Sequence, residues 1–432
     1  MESKKFENVA ICETNDKYEK CIIRNDDIYK RSNDIRSEFN RDYNRILHSN
    51  AYRRLKHKTQ VFFATKNDHI CTRIEHVNHV SSVSYSIAKY LGLNTELTMA
   101  ISIGHDIGHP PFGHDGERVL SNFTKNKLGY KFWHEKNSLR FTDYIETLPT
   151  QTDKEVNLNL TYAVRDGIIC HCGEVKSKPL FPRKENVDLN LISRPGEISP
   201  YTWEGCVVKI SDKISYLGRD IEDALTLKIL NENQIKELNN ITKKFNIPDF
   251  DKINNTVIVH NLVTNLCENS TVDNGIMLSP DYSEFMDNIK AFCYKNIYFH
   301  SRLNNFQKYV ELVLNTILNT LESIYEGENT LNKLNEWLDI YPTLCDSFSK
   351  WLIKYSINYK ENIRGSKYDN IKIYQLNNID DYYQLIVDYV SSMTDAYAIK
   401  IFNEILSFWY IINNASYNSL FPNFVSILIA WV

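Results

Sequence analysis

A chain of 432 residues is long enough to bury a large core and, by length alone, to form two or three domains. Its 43% hydrophobic content, with 27 Tyr, 20 Phe and 6 Trp, excludes a disordered chain, and a net charge of -4 gives no general reason to bind nucleic acid. With only 14 Gly and 11 Pro there are too few breakers for a meander of short strands and tight turns, so an all-α fold is expected.

Residues 1–35 read as an N-terminal extension, polar and charged up to Lys30 and lacking the apolar stretch of a secretory signal. The nine cysteines are odd in number and scattered from Cys12 to Cys345, a pattern of reduced thiols that sets the expected location as cytoplasmic. Between Lys30 and Lys58 nine Lys/Arg stand against three Asp/Glu, and most of these read as a solvated basic face. Histidine is distributed unevenly: nine of twelve lie between His48 and His134. Histidine is the commonest metal ligand and a general acid or base near neutral pH, so the excess points to a site.

Three segments carry that site. In Thr72-Arg-Ile-Glu-His76 the following apolar positions Val77, Val80, Val83, Ile87 and Leu91 keep helical spacing, which puts His76 near a helix start. In the second, Leu97, Ile101 and His105 share a helix face, and Gly108, Pro110 and Pro111 end that helix just past His105-Asp106. In the third, Asp212, Tyr216 and Asp220 align at i, i+4 and i+8. His76, His105, Asp106 and Asp212 together offer two nitrogens and two oxygens. That donor set suits a divalent ion such as Mg²⁺ or Mn²⁺, with Fe²⁺, Co²⁺ or Ni²⁺ as alternatives, better than structural zinc. Cys170-His171-Cys172 also holds donors, but three ligands so close in sequence seldom close a tetrahedral site and no second cluster supplies a fourth, so they receive no metal role.

Further along, Asn186–Pro200 reads as a loop, and the polar stretch Asn231–Asn255, with Pro248, as an exposed excursion. Helical spacing returns from Phe285, as in Phe306, Val310, Val313, Leu314 and Ile317. The apolar tail Phe424–Val432 is too short to span a bilayer and reads as a buried closing segment, so no membrane partner is expected. The expected division is a catalytic core over 36–230, a helical or loop insertion over 231–284, and a C-terminal helical region over 285–432 that packs on the core.

The run His105-Asp-Ile-Gly-His-Pro-Pro-Phe-Gly-His-Asp-Gly-Glu117, preceded by Arg73-Ile-Glu-His76, resembles the signature of the deoxyguanosinetriphosphate triphosphohydrolase-like family of the HD superfamily. So do Arg41-Asp-x-x-Arg45, Lys58-Thr-Gln60, His134-Glu-x-x-Ser138, Asp166-Gly-Ile…His171 and Met393-Thr-Asp395, matches that run from Arg36 to about Phe402, roughly six-sevenths of the chain. The resemblance implies an HD-domain helical bundle with additional C-terminal helices. It also implies hydrolysis of deoxynucleoside triphosphates, dGTP among them, to deoxynucleoside and inorganic triphosphate, by a homo-oligomer open to regulation by a nucleotide or single-stranded DNA.

By the same resemblance His76, His105, Asp106 and Asp212 bind the metal, and His114 with Glu117 forms a catalytic dyad, His109 steadying the loop or the phosphate beside it. Gln60, Arg73, His134, Lys213, Tyr216, Asp220 and Arg302 are the substrate-binding candidates: Arg73, Lys213 and Arg302 for phosphate, Gln60, Tyr216 and Asp220 for the sugar. Many bacterial members of the family carry a second aspartate at the position of Lys213, whereas a vertebrate member has lysine there, as this chain does, which favours a phosphate contact. Each residue has an ordinary alternative: a loop-bracing His114, a core Tyr216. Two other functions stay open, an HD phosphodiesterase or deoxynucleotidase and a catalytically silent nucleotide sensor.

Overall fold

The computed structural model describes residues 4–27, 34–63, 67–172, 178–245 and 254–407. The Phe424–Val432 tail, Pro248, Lys30 and Arg31 fall outside these residues. Among the described residues the fold is helical, and its one small sheet pairs β1 (Thr147–Pro149) antiparallel with β2 (Glu155–Asn157), Leu148 opposite Val156. The helices that position the site are α1 (Glu38–His48), α2 (Arg73–Leu91), α3 (Thr95–Gly104), α4 (Gly113–Leu128), α5 (His134–Arg140), α6 (Tyr162–Cys170), α7 (Trp203–Thr226), α8 (Asn255–Asn269), α9 (Pro280–Cys293), α10 (Ser301–Ser323), α11 (Ile379–Ser392) and α12 (Asp395–Leu406).

Local chemistry sets their ends. Glu75 accepts from the Thr72 backbone N–H at 2.7 Å, a capping box that starts α2 at Arg73 and leaves His76 in its first turn. Asn94 caps α3 through Leu97 N–H, and the Thr202 hydroxyl caps α7 through Gly205 N–H. α3 stops at Gly104, earlier than Gly108 and the prolines would demand, and leaves His105 as its C-cap.

Two apolar clusters form the core. One gathers Phe39 and Ile46 of α1, Leu97 and Ile101 of α3, Val164 and Ile168 of α6, Val310 to Leu321 of α10 and Leu385 to Val390 of α11. The other gathers Ile214, Leu217 and Ile221 of α7 with Ile258, Leu262 and Leu266 of α8 and Phe285 and Ile289 of α9. α2 and α7 contribute to both: Val77, Val80 and Val208 to the first, Val83, Ile87, Val207 and Ile214 to the second. His76 and Asp212 therefore stand on the two helices that join the halves of the core.

The polar stretch after Asn231 is not an open excursion. Residues Glu232–Lys244 form a helix, started by an Asn231/Gln234 capping box, with Leu238 and Thr242 buried. Charge-rich composition hid the one apolar stripe that anchors it. Part of the basic stretch up to Lys58 braces the fold, while Arg36, Arg53 and Lys56 stay exposed as expected. Arg45 donates to the Leu158 and Asn157 carbonyls, Arg54 pairs with Glu146 at 2.6 Å, and buried Lys58 donates to the carbonyls of His109 and Ser391.

The turn between α3 and α4 is held from two sides. Gly108 N–H donates to Ser138 Oγ at 3.0 Å, Ser138 Oγ donates to the His105 carbonyl at 2.8 Å, and Asn137 Nδ2 donates to the Gly108 carbonyl at 2.6 Å. From the C-terminal region, Asp395 accepts from Phe112 N–H at 2.8 Å and from Thr59 N–H at 2.9 Å. Phe112 itself adopts φ 64, a conformation that costs a non-glycine residue energy and that this anchoring sustains. A Cβ at Gly108 would lie 2.1 Å from Ser138 N, a backbone atom that cannot rotate away. Gly108→Ala is therefore expected to lower stability by about 1–3 kcal/mol, seen as a lower urea midpoint, whereas an unchanged midpoint would show that α5 is free to move.

Candidate functional site

His76, His105 and Asp212 come together at the crossing of α2, the end of α3 and α7, each offering a ligand atom within 4.8 Å of the others. His76 Nε2 lies 3.1 Å from Asp212 Oδ1, and His105 Nε2 lies 3.9 Å from both Asp212 Oδ1 and Asp106 Oδ1. His105 Nδ1 faces the Ser102 carbonyl at 2.6 Å, which makes Nδ1 the protonated nitrogen and leaves Nε2 with its lone pair toward the cluster. That Nε2 is buried without a hydrogen-bond partner, as a ligand nitrogen awaiting a cation would be. Asp106 joins through His105 and groups with His171 rather than with His76 and Asp212.

Arg73 and Asp106, 2% and 3% exposed, form an ion pair of 2.6 Å. Burial alone would raise the Asp106 carboxyl, but Arg73, with His109, His105 and His134 around it, holds it well below the usual carboxylate range. Arg73 thus braces a candidate ligand, while its Nε and Nη2 keep no protein partner. Burial lowers the His105 imidazole to about 4 despite the pull of Asp106, so this ring is neutral and fit to ligate. For His76 burial is outweighed by Asp212, which raises it.

A second constellation adjoins the first. Glu117 accepts from His114 Nδ1 at 3.0 Å, from His134 N–H at 3.0 Å and from His134 Nδ1 at 3.2 Å. Nε2 of His134 lies 3.7 Å from Asp106 Oδ1, so one ring spans the distance between the relay and the metal cluster. Burial disfavours charge on His134, but Glu135 and Glu117 raise it well above the usual histidine range. Burial likewise works against the Glu117 carboxylate, and His134 and His114 override it and hold Glu117 well below its ordinary value. Buried His109 stacks on His134 with ring centroids 4.1 Å apart, and burial with Arg73 and His134 nearby keeps it neutral. His114 is the exposed member, its side chain 77% accessible, beside a cavity of about 410 Å³ rimmed by Arg118, Lys125 and Lys131. A cavity of about 1190 Å³ elsewhere, walled by Arg36, Arg45, Thr150 and Asn157, contains none of the candidate residues. Its size carries no argument against the chemistry gathered elsewhere.

Along α7, buried Asp220 accepts from Tyr298 Oη at 2.5 Å, and burial raises its carboxyl to about 7. Tyr216, one turn before it, is half-buried, and burial raises its phenol. Lys213 is half-buried, its ammonium lowered by burial and then by Lys290 and Lys209. Gln60 lies on the segment that Asp395 ties down, its Oε1 buried and unpartnered. Arg302 is exposed on the first turn of α10, and its backbone N–H meets His300 Nδ1; no hydrogen bond or ion pair joins it to the cluster among the described residues.

Residues 73–217 match the family model of the HD domain. A deoxyguanosinetriphosphate triphosphohydrolase-like protein of Clostridium tetani is 31% identical over 382 residues, 88% of each chain. The chain belongs to the deoxyguanosinetriphosphate triphosphohydrolase-like family. Like-named proteins of Caldanaerobacter subterraneus and Rickettsia felis are 36% identical over 270 residues (62% of this chain, 67% of theirs) and 31% identical over 387 residues (86% and 92%). As a family member of HD type the protein is a metal-dependent phosphohydrolase, and no helix among its described residues is long and apolar enough to cross a membrane.

Some residues of this triphosphohydrolase-like site escaped the sequence reading. Tyr298 and Lys290 sit at i+8 from one another with Tyr294 between, the same spacing as Asp212, Tyr216 and Asp220, but a π-helical turn at Tyr294–Tyr298 breaks the α pattern that would have shown it. His171, set aside with Cys170 and Cys172 for want of a fourth ligand, places its ring centroid 4.8 Å from that of His105.

Removing a ligand should empty the centre. His105→Ala and Asp106→Ala are each expected to lower bound metal at least tenfold in elemental analysis of the purified protein; full occupancy in both would remove them from the ligand set. Asp220 gives a pH signature in metal-free protein. Its carboxyl at about 7 stands above the ordinary 3.8, so the fold penalises ionisation and stability is lost as pH rises between these values. Asp220→Asn cannot ionise and should gain on wild type by about 1.4 kcal/mol per pH unit across that window, with no difference below pH ~4. Parallel denaturation curves at all pH values would refute the buried-acid assignment.

Proposed function

We propose that the protein hydrolyses deoxynucleoside triphosphates to deoxynucleoside and inorganic triphosphate. The observation that carries this reading is the adjacency of the two constellations: His134 lies 3.7 Å from Asp106 on one side and hydrogen-bonds Glu117 on the other. A proton-handling group thereby stands beside a candidate metal centre, as hydrolysis of a phosphate ester requires. The names of the relatives support the same substrate class.

In the reaction a water oxygen bonds to the α-phosphorus, the bond from that phosphorus to the 5′-oxygen breaks, and the 5′-oxygen takes up a proton. His76, His105, Asp106 and Asp212 would hold a divalent ion, which would supply Lewis-acid polarisation of a phosphoryl oxygen when bound. His114 exchanges the proton, and Glu117 orients its ring through Nδ1, leaving Nε2 for the reacting atoms. Lys213, with Lys290 beside it, and the free edge of Arg73 receive polyphosphate charge. Asp220 and Tyr298 take the 3′-hydroxyl, about 12 Å along α7 from Asp212 at 1.5 Å per residue, and Tyr216 packs against C2′, where a ribose hydroxyl would lose its partners. Homo-oligomer formation, with a nucleotide or single-stranded DNA as regulator, belongs to the same reading.

The test is incubation with each dNTP and NTP, with Mg²⁺ and with Mn²⁺, followed by separation of products. Inorganic triphosphate and deoxynucleoside are expected from dNTPs in preference to NTPs, and Glu117→Gln should lower kcat on the order of 10²-fold with metal content intact. Release of monophosphate or pyrophosphate, or no turnover with any nucleotide, would replace this reading by a phosphodiesterase, a nucleotidase or a silent sensor.

A further inference from the structure

A second set of metal donors lies beside the first. His134, Glu135, His171 and Cys172 bring one ligand atom each within 4.8 Å of the others, although α5 and the end of α6 lie far apart in sequence. The Cys170-His171-Cys172 stretch, which lacked a fourth ligand when read alone, gains two from the start of α5. Three independent features aim these groups at a common point. Glu135 is 2% exposed and its Oε2 has no hydrogen-bond partner, only an ion-pair contact with His134 Nδ1 at 3.5 Å. A buried carboxylate oxygen without a partner is rare in a folded protein and marks a place where a cation belongs. The Nδ1 of buried His171 faces the Ile168 carbonyl at 2.6 Å, so its lone pair resides on Nε2. Lys209, also buried, donates to the carbonyls of Cys170 and Cys172 and thereby fixes the backbone that carries the thiol next to His134.

We infer that His134, Glu135, His171 and Cys172 form a second metal site, for zinc or another thiophilic divalent ion. Two imidazoles, one thiolate and one carboxylate are the donors that zinc takes in four-coordinate sites, at distances of about 2.0–2.3 Å. The sulfur separates this site from the His76–His105–Asp212 centre, whose nitrogen and oxygen donors include no thiolate. On the reading of the preceding subsection there is a functional consequence. An ion bound here would engage His134 and withdraw it from Glu117, so zinc would restrain the enzyme that another metal activates.

The experiment is titration of the full-length, chelator-stripped protein with Co²⁺, followed by thiolate-to-cobalt charge-transfer absorption and by metal counting. Wild type is expected to show the band, and so is Asp212→Ala, which lacks the first centre. Cys172→Ser should abolish the band and remove one tightly bound equivalent while retaining the other, which also reports that the variant is folded. If that variant does not fold, Glu135→Gln provides the measurement, with an expected loss of Co²⁺ affinity of at least tenfold. Absence of the band in wild type, its persistence in Cys172→Ser, or unaltered affinity in Glu135→Gln would each overturn the site. Inhibition of turnover by Zn²⁺, relieved in Cys172→Ser, tests the consequence separately, so a failed dNTP assay leaves the metal titration standing.

Discussion

The ion pair between Arg73 and Asp106 is the interaction on which the rest of the site depends. A buried pair contributes little net stability, because desolvating two charges consumes most of their attraction. Its value is positional. Arg73 opens α2, three residues before His76, and Asp106 follows His105 at the end of α3, so one 2.6 Å contact sets the candidate ligand on α2 against the two at the end of α3. Gly113, with φ +60, leaves room for the same guanidinium: a Cβ there would come within 3.0 Å of Arg73 Nη2. Loss of either partner would strand a charge in the interior and release the turn that leads into α4.

Around this pair the histidines divide into two electrostatic populations. His105 and His109 are kept neutral by burial and neighbouring cations, which suits lone-pair donation to a metal and stacking. His134, within a few ångströms of them, is kept charged by Glu135 and Glu117. One fold thus maintains opposite protonation states on adjacent rings, with carboxylates on one side of His134 and Arg73 beyond His109. On the proposed reading, His105 would be free to donate its lone pair while His134 stays charged against Glu117.

Much of this was legible in the chain. Helical spacing after His76, the breakers after Asp106 and the i, i+4, i+8 alignment from Asp212 place candidate ligands on or at the end of three helices, because each signal is local. What stayed hidden depends on packing between distant segments. Arg45, Arg54 and Lys58 look like part of a solvated face until Leu158, Glu146 and Ser391 arrive to receive them. The helix Glu232–Lys244 is masked by its own charge. Glu135 and Cys172 have no meaning in sequence until α5 lies against the end of α6. Arg302, singled out by a weak likeness of its surroundings, stands exposed, whereas Lys290 beside Lys213 carried no local mark.

The anchoring of the central turn by Asp395 bears on how the protein is made. Thr59 and Phe112 share that carboxylate across 336 and 283 positions, and Lys58 reaches Ser391 across 333. Such contacts close only after most of the chain has left the ribosome, and loops of that length form late and slowly. The helices bearing His76 and His105 can pack early on local contacts, yet the turn that delivers His114 and Glu117 waits for α12. A chain truncated before α12 would therefore lack the carboxylate that anchors the turn leading to His114 and Glu117.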